Sequence, residues 1–359
     1  MYTFLIKPTN NCNLRCKYCF IDNQIKSSSG MMTIDLAKIT IDKIANLLSE
    51  SNENTCKITW HGGEPLLWGR NNYEKILSYM FETYPHINWI NAMQTNLTLL
   101  SDDFLEVFQK YGVQFSTSMD GYEELHNQTR VTITGEGSYK MIADKLSYIK
   151  SKGMDIGLIV VLNSKNIDYL IDIYKFFKEH NQEFIVNPLY IEGEVKHNND
   201  LSITSEQYAD AVIKLFDYWI KDYDAVNIGT FTEWASSLKT MSPSVCTYCE
   251  NCQNVFTVIE PNGNILACDR LCGNENYVFG NVIKDSLNEV YNRKRELFAK
   301  RTEILKNTEC ADCRYWNICY GGCPSDSIIN KNNINTKFSY CEALKKIYNH
   351  IENTLSLIY

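Results

Sequence analysis

The stretch that decides the fold is the first twenty residues: an apolar run over 2–7, then CNLRCKYC, which places Cys12, Cys16 and Cys19 in CxxxCxxC spacing. An apolar run of that length reads as a strand. Three thiolates on one tight loop after a strand suit a 4Fe–4S cubane in which one iron has no protein ligand. An iron left open in this way can bind a substrate or a cofactor. The alternatives are a zinc knuckle and a disulfide-bearing loop. Zinc normally takes four ligands in a closed site, and no His or fourth Cys stands near these three.

Outward from that strand, the chain alternates short apolar runs with longer amphipathic ones. Strands are expected over 2–7, 55–60, 89–94, 114–119, 155–162 and 183–186, and helices over 33–50, 73–83, 101–111, 138–152 and 166–180. Tyr139, Ile142, Leu146 and Ile149 recur at helical spacing, as do Ile167, Leu170, Tyr174 and Phe177. These stripes are core packing. Thr33 and Ser101 stand where N-caps belong, and Gly112 and Gly153 where helices stop. Six β/α alternations imply a parallel sheet with right-handed crossovers. Six units are fewer than a closed eight-fold barrel needs, so the expected α/β fold is a partial, TIM-like (β/α)6 barrel with a cysteine-rich C-terminal domain. Sites in such sheets form at the carboxyl ends of the strands. The cysteine loop, HGGEP (61–65), QTN (94–96) and SMDG (118–121) all follow or end strands and converge there.

The expected division is a partial barrel over 1–187, a helical connector over 188–245, a cysteine-rich module over 246–341 and a last helix over 342–359. The connector carries a helix over 205–221, with Ala211, Leu215 and Trp219 on one face. A hydrophobic content of 44% is ordinary for a globular protein. The net charge of -8 argues against nucleic acid as a partner. No apolar run approaches the roughly 20 residues needed to span a bilayer, and the start lacks signal-peptide features, so no membrane role and a cytoplasmic location are expected. Fourteen cysteines in that compartment favour metal or cluster ligation over disulfides. Clusters degrade in oxygen, which implies an anaerobic or low-oxygen host.

With Phe20 after the third cysteine and HGGEP after the second strand, the chain resembles the radical S-adenosylmethionine (radical SAM) superfamily. The resemblance implies that S-adenosyl-L-methionine (SAM) binds the open iron through its amino and carboxylate groups and is cleaved reductively to a 5′-deoxyadenosyl radical. It implies that Gly62, Gly63 and Glu64 lie against the methionine ammonium, that Ser118 touches the cofactor, and that Arg130 pairs with its carboxylate. A turn cap at Ser118 and a surface ion pair at Arg130 are the plain alternatives. QTN resembles the family's QTNGT, but Leu97 stands in place of the glycine. His61 packs or bonds a neighbour.

The later cysteines resemble the SPASM module of peptide-modifying radical SAM enzymes, a twin-cluster extension. By that resemblance one auxiliary 4Fe–4S cluster takes Cys246, Cys252, Cys268 and Cys323, and the other takes Cys310, Cys313, Cys319 and Cys341, for three clusters in all. Cys249 competes with Cys246. Cys56 and Cys272 are left over, Cys56 as buried strand packing. A zinc ribbon is the alternative for the module, since zinc also takes CxxC pairs. A hairpin over 255–267, turning at Gly263, would hold the first pair of ligands. Asp269 matches the catalytic base of the similar anaerobic sulfatase maturases; alternatively it caps a turn or bonds Arg270.

The resemblance implies hydrogen abstraction from a carbon of a substrate peptide or protein, followed by oxidation through the auxiliary clusters. Maturation of a ribosomally made peptide, by a thioether or carbon–carbon crosslink, is the first expectation. A sulfatase maturase that makes formylglycine from Cys or Ser is the second, although Ile21 stands where those enzymes tend to carry tyrosine. A zinc scaffold or an electron carrier is the non-enzymatic alternative. An external flavodoxin or ferredoxin type donor would supply electrons. The chain opens at its first strand, so a separate leader-peptide-binding protein or direct recognition is expected.

Overall fold

The computed structural model describes residues 1–28, 30–197, 199–222, 224–243, 245–250, 252 and 256–358. Six parallel strands lie side by side in chain order: β1 (Tyr2–Thr9), β2 (Thr55–Gly62), β3 (Asn88–Gln94), β4 (Gln114–Ser118), β5 (Ile156–Leu162) and β6 (Ile185–Pro188). The partial barrel expected from the alternation is present, and it is open.

Helices α1 (Asn23–Ser28), α2 (Ile34–Glu50), α3 (Arg70–Thr83), α4 (Asp102–Lys110), α5 (Glu123–Thr129), α6 (Tyr139–Ser151) and α7 (Leu170–Glu179) connect the strands. Thr33 caps α2 by accepting from the Leu36 amide. Gly112 and Gly153 end their helices at φ +62° and +71°. Side chains along a strand alternate between its faces. In β2 this sends Cys56, Ile58 and Trp60 under the helices, where Trp60 stacks on Trp68 at 5.9 Å and meets Tyr73 edge-on. His61 turns to the opposite, inner face.

The cysteine-rich region does not stand apart from this sheet. Strand β7 (Phe256–Ile259) pairs in parallel with β1, and β8 (Asn264–Leu266) and β9 (Val278–Asn281) follow antiparallel, giving one nine-stranded sheet. The expected hairpin therefore extends the barrel on the far side of β1, turning at Gly263 with φ +83°. Val255, its first expected residue, lies outside the described residues. The connector also belongs to the main core: α8 (Ser205–Trp219) and α9 (Gly229–Thr240) bury Phe216, Trp219, Phe231 and Trp234. Further helices among the described residues are α10 (Leu287–Leu305), α11 (Trp316–Cys319), α12 (Pro324–Lys331) and α13 (Cys341–Ile358), and α13 packs on α8 and α9. Among the described residues, no helix is long and apolar enough to cross a membrane.

Candidate active site

At the carboxyl end of β1 the chain turns into the loop of Cys12, Cys16 and Cys19, and three other segments clamp that loop. The Arg15 and Lys17 amides donate to the carbonyls of Val131 and Thr129, at 2.7 and 2.8 Å. From the exit of β2, the Gly63 and Glu64 amides donate to the carbonyls of Thr9 and Asn11, at 3.0 and 2.8 Å. A Cβ on Gly62 would stand 2.1 Å from the Thr9 carbonyl oxygen, and one on Gly63 2.2 Å from that of Asn11. Two glycines are needed because loop and strand end touch backbone to backbone. Beyond β6, a Cβ on Gly193 would stand 2.3 Å from the Cys19 carbonyl oxygen, so that segment also lies directly on the loop.

The three thiols line a cavity at the rim of the barrel, together with His61, Gly62, Gly63, Ser118 and Arg130. Glu64 stands behind this wall. It is completely buried, and its carboxylate accepts from the Thr95 hydroxyl at 2.7 Å, the Asn96 amide at 2.7 Å and the Leu66 amide at 2.9 Å. Burial pushes its pKa up to about 7 against the pull of those three donors. Asn96, fixed in this way, donates through Nδ2 to Asn13 at 2.9 Å and reaches the Cys12 sulfur at 3.7 Å. Glu64 thus braces the QTN segment, and through it the cysteine loop. Leu97 adopts the left-handed backbone, φ +65°, that the glycine of the similar motif would supply, and is itself fully buried.

Ser118 accepts from Gln94 Nε2 at 3.3 Å. Arg130 donates through Nη1 to the Tyr18 hydroxyl at 2.8 Å, and that hydroxyl donates to Asp120 at 2.6 Å. Its Nε is buried without a hydrogen-bond partner among the described residues. Arg130 is therefore an interior residue on the cavity wall rather than a surface ion pair.

Asp269 sits just after Cys268, 2.9 Å from Lys7 Nζ and 3.4 Å from His61 Nδ1. Lys7 is wholly buried on β1 and also binds Glu260 at 2.9 Å. Burial lowers the Lys7 pKa, but the two carboxylates more than offset that and hold it charged. His61 Nδ1 accepts from the Gly62 amide at 2.7 Å, which leaves the proton of the neutral ring on Nε2. Burial pushes its pKa down. Arg270 turns away from Asp269 toward Glu192 and Cys323. The sequence had pointed to neither Lys7 nor Glu192. A lysine inside the apolar TFLIKPT was the available signal for the first.

The C-terminal cysteines fall into two groups. Cys310, Cys313, Cys319 and Cys341 line one small cavity. Cys246, Cys252, Cys268 and Cys323 are close enough that Cys323 raises the pKa of each of the other three, behind the larger effect of burial. Cys246 acts on Cys268 in this way too, and Cys249 acts on Cys246 and Cys252 while donating its thiol to the Val245 carbonyl at 3.3 Å. Cys56 is core packing, and Cys272 lies 3.8 Å from a Glu260 oxygen. Among the described residues, no three His, Cys, Asp or Glu side chains close around a point as a single metal ion would require.

Residues 6–177 match the Radical SAM superfamily, and residues 246–314 match SPASM, an iron-sulfur cluster-binding domain. The chain is a radical SAM enzyme with a SPASM domain. A cysteine-type anaerobic sulfatase-maturating enzyme of Clostridium novyi is 27% identical to this radical SAM enzyme over 96% of this chain and 94% of the relative. A serine-type anaerobic sulfatase-maturating enzyme of Bacteroides thetaiotaomicron is 26% identical over 97% and 88%. Among solved structures, anSMEcpe with bound AdoMet superposes with a TM-score of 0.87 at 23% identity, covering 99% of this chain and 98% of that one. Streptococcus suis SuiB bound to the precursor peptide SuiA gives 0.67 at 19% identity, covering 95% and 76%. Both share the fold. SAM and iron–sulfur clusters are the cofactors of this radical SAM enzyme, and its residues fit them: a three-thiol loop on a cavity, a wall closed to any Cβ at Gly62 and Gly63, and on that wall a guanidinium with a buried nitrogen that no described residue satisfies, the chemistry an anionic group takes.

Proposed function

We propose that this radical SAM enzyme oxidises the β-carbon of a cysteinyl or seryl residue in a protein substrate to an aldehyde, the formylglycine chemistry of anaerobic sulfatase maturation. The observation that carries it is the Asp269 carboxylate, held by Lys7 beside His61 of the cavity wall and next in sequence to Cys268. A carboxylate so placed takes the proton that the substrate thiol or hydroxyl loses as its carbon is oxidised, the second electron leaving toward the cysteines that would hold an auxiliary cluster. A seryl residue then gives the aldehyde directly, and a cysteinyl residue a thioaldehyde that water hydrolyses after the radical step with release of hydrogen sulfide. Relatives of that activity that align along nearly their whole length support the reading. Ribosomal peptide crosslinking, the first expectation from sequence, has the weaker support of a structural likeness reaching 76% of SuiB.

In this proposal Cys12, Cys16 and Cys19 hold the SAM cluster, with Gly62, Gly63, Ser118 and Arg130 around the cofactor and Glu64 bracing them from behind. Cys246, Cys252, Cys268 and Cys323 hold one auxiliary cluster, and Cys310, Cys313, Cys319 and Cys341 the other. Bound there, SAM and its cluster supply the carbon-centred radical that removes a hydrogen atom from the substrate. The chain's own residues orient the substrate, exclude water and accept the proton. A flavodoxin or ferredoxin type donor and a cytoplasmic location complete the proposal.

The test is anaerobic reconstitution followed by incubation with SAM, reductant and peptides carrying a sulfatase-type Cys or Ser. An aldehyde trapped by a hydrazine is the expected product. Loss of two hydrogens with no trappable aldehyde, in a precursor peptide, would replace this reading with crosslinking.

A further inference from the structure

Arg270 stands where the cavity meets the cysteines of the C-terminal region, its guanidinium held through Nε, Nη1 and its face, while Nη2 is buried without a hydrogen-bond partner among the described residues. Nε donates to both carboxylate oxygens of Glu192, at 3.0 and 2.9 Å. Nη1 donates to the Cys323 sulfur at 3.3 Å, and Nη2 lies 3.8 Å from Asp326. The plane stacks on the Tyr190 ring, 3.7 Å from its centroid. Tyr190, Glu192 and Arg270 all line the cavity that holds the first cysteine loop. Gly193, next in sequence to Glu192, lies against the carbonyl of Cys19. One short segment therefore touches the first cysteine loop and, through Arg270, the Cys323 group.

We propose that Arg270 is a positioning residue that sets the electron affinity of the auxiliary cluster nearest the substrate, with Glu192 as its counterweight. The inference rests on the proposed assignment of Cys323 as a ligand of that cluster. A reduced cluster carries more negative charge than an oxidised one. A fixed cation that donates a hydrogen bond to a ligand sulfur favours the reduced state and raises the potential. The Glu192 carboxylate opposes part of that charge while holding the guanidinium in place. Because Tyr190 and Glu192 are cavity residues, a peptide that displaces either one changes the field at Cys323. Arginine suits this place better than lysine, since its planar fork stacks and bonds at once.

The experiment is an EPR-monitored redox titration of the full chain carrying Cys12, Cys16 and Cys19 replaced by Ala, so that only auxiliary signals remain. Arg270→Met is expected to lower one midpoint potential, with at least a tenfold change in the reduction equilibrium, about 59 mV for one electron. Glu192→Gln is expected to move the same midpoint upward. Opposite shifts with unchanged iron content uphold the inference, because a merely structural role does not change sign between the two variants. Unchanged or parallel shifts overturn it. Should Arg270→Met lose iron, Glu192→Gln and Arg270→Lys decide. Cys323→Ala tests the ligand assignment separately: if every auxiliary signal survives it, that assignment fails and the inference falls with it.

Discussion

The Lys7 ammonium and the Asp269 carboxylate lie 2.9 Å apart although most of the chain separates them in sequence. Neither is exposed beyond its rim: Lys7 is 0% exposed and Asp269 8%. Replacing Lys7 by Met would strand two buried carboxylates, Glu260 and Asp269, without a counterion. Breaking a buried pair by removing one partner costs roughly 3–5 kcal/mol. Anaerobic denaturant unfolding of Lys7→Met should show that loss, and Lys7→Met/Glu260→Gln should recover part of it. An unchanged midpoint would mean that water reaches the pair.

Asp269→Asn keeps the side-chain volume and removes the proton acceptor. Peptide oxidation should fall by about 10²–10⁴-fold, while SAM cleavage, in which Asp269 has no part, continues. Parallel counting of 5′-deoxyadenosine and oxidised peptide separates the two. Equal loss of both would assign Asp269 a role in cofactor binding instead.

Leu97 pays backbone strain at φ +65° and gains complete burial. Removing a buried leucine side chain costs about 2–5 kcal/mol, and a left-handed residue with a Cβ about 1–2 kcal/mol. Both Leu97→Ala and Leu97→Gly should destabilise, but glycine should be the milder by about 1 kcal/mol, the reverse of the usual order. Thermal unfolding of the two variants side by side checks it.

His126 is buried, its Nδ1 accepting from the Asp120 amide at 3.4 Å and its Nε2 meeting Ser138 Oγ at 3.1 Å. Burial and then the nearby Arg130 charge push its pKa down from 6.5 to about 2. The unfolded chain therefore takes a proton below pH 6.5 that the folded chain refuses. Its contribution to stability is complete above that pH and is lost on acidification, by about 1.4 kcal/mol per pH unit. Denaturant midpoints from pH 7 down to 5 should fall more steeply for the native chain than for His126→Gln. Parallel curves would refute the assignment.

A methyl at Gly63 has no room, because Cβ would fall 2.2 and 2.3 Å from the carbonyl oxygens of Asn11 and Asn10. Gly63→Ala should displace the first cysteine loop and lose about one cubane, four iron atoms, leaving the auxiliary spectrum intact. Iron analysis with EPR distinguishes this from general misfolding, which would empty all three sites.

What the sequence disclosed was local. Apolar spacing placed α6 and α7 within a few residues of their observed ends, and CxxxCxxC marked the loop outright, because both are patterns over adjacent residues. The contacts that build the site are long-range and leave no such trace. Nothing near Thr3 announces Phe256 as its strand neighbour, and nothing in HGGEP announces Asp269 beside His61. Helix α10 had a local signature, the capping box of Ser286 and Glu289, but its apolar face is thin beside its charges, so the stripe over 287–305 was faint.

The pairing of β1 with β7 has a consequence for how the molecule is made. Synthesis runs from the amino to the carboxyl end, so β1 emerges well before β7, and β2 covers one of its edges in the meantime. The other edge waits until Phe256–Ile259 has left the ribosome. Until then an apolar strand offers an open row of amides and carbonyls, the kind of edge that invites pairing with another chain. Its seal, β7, is followed within ten residues by Cys268 and Asp269. Closing the vulnerable edge and bringing Asp269 to the cavity are therefore one folding event, and a nascent chain that stalls before it is both inactive and prone to aggregate.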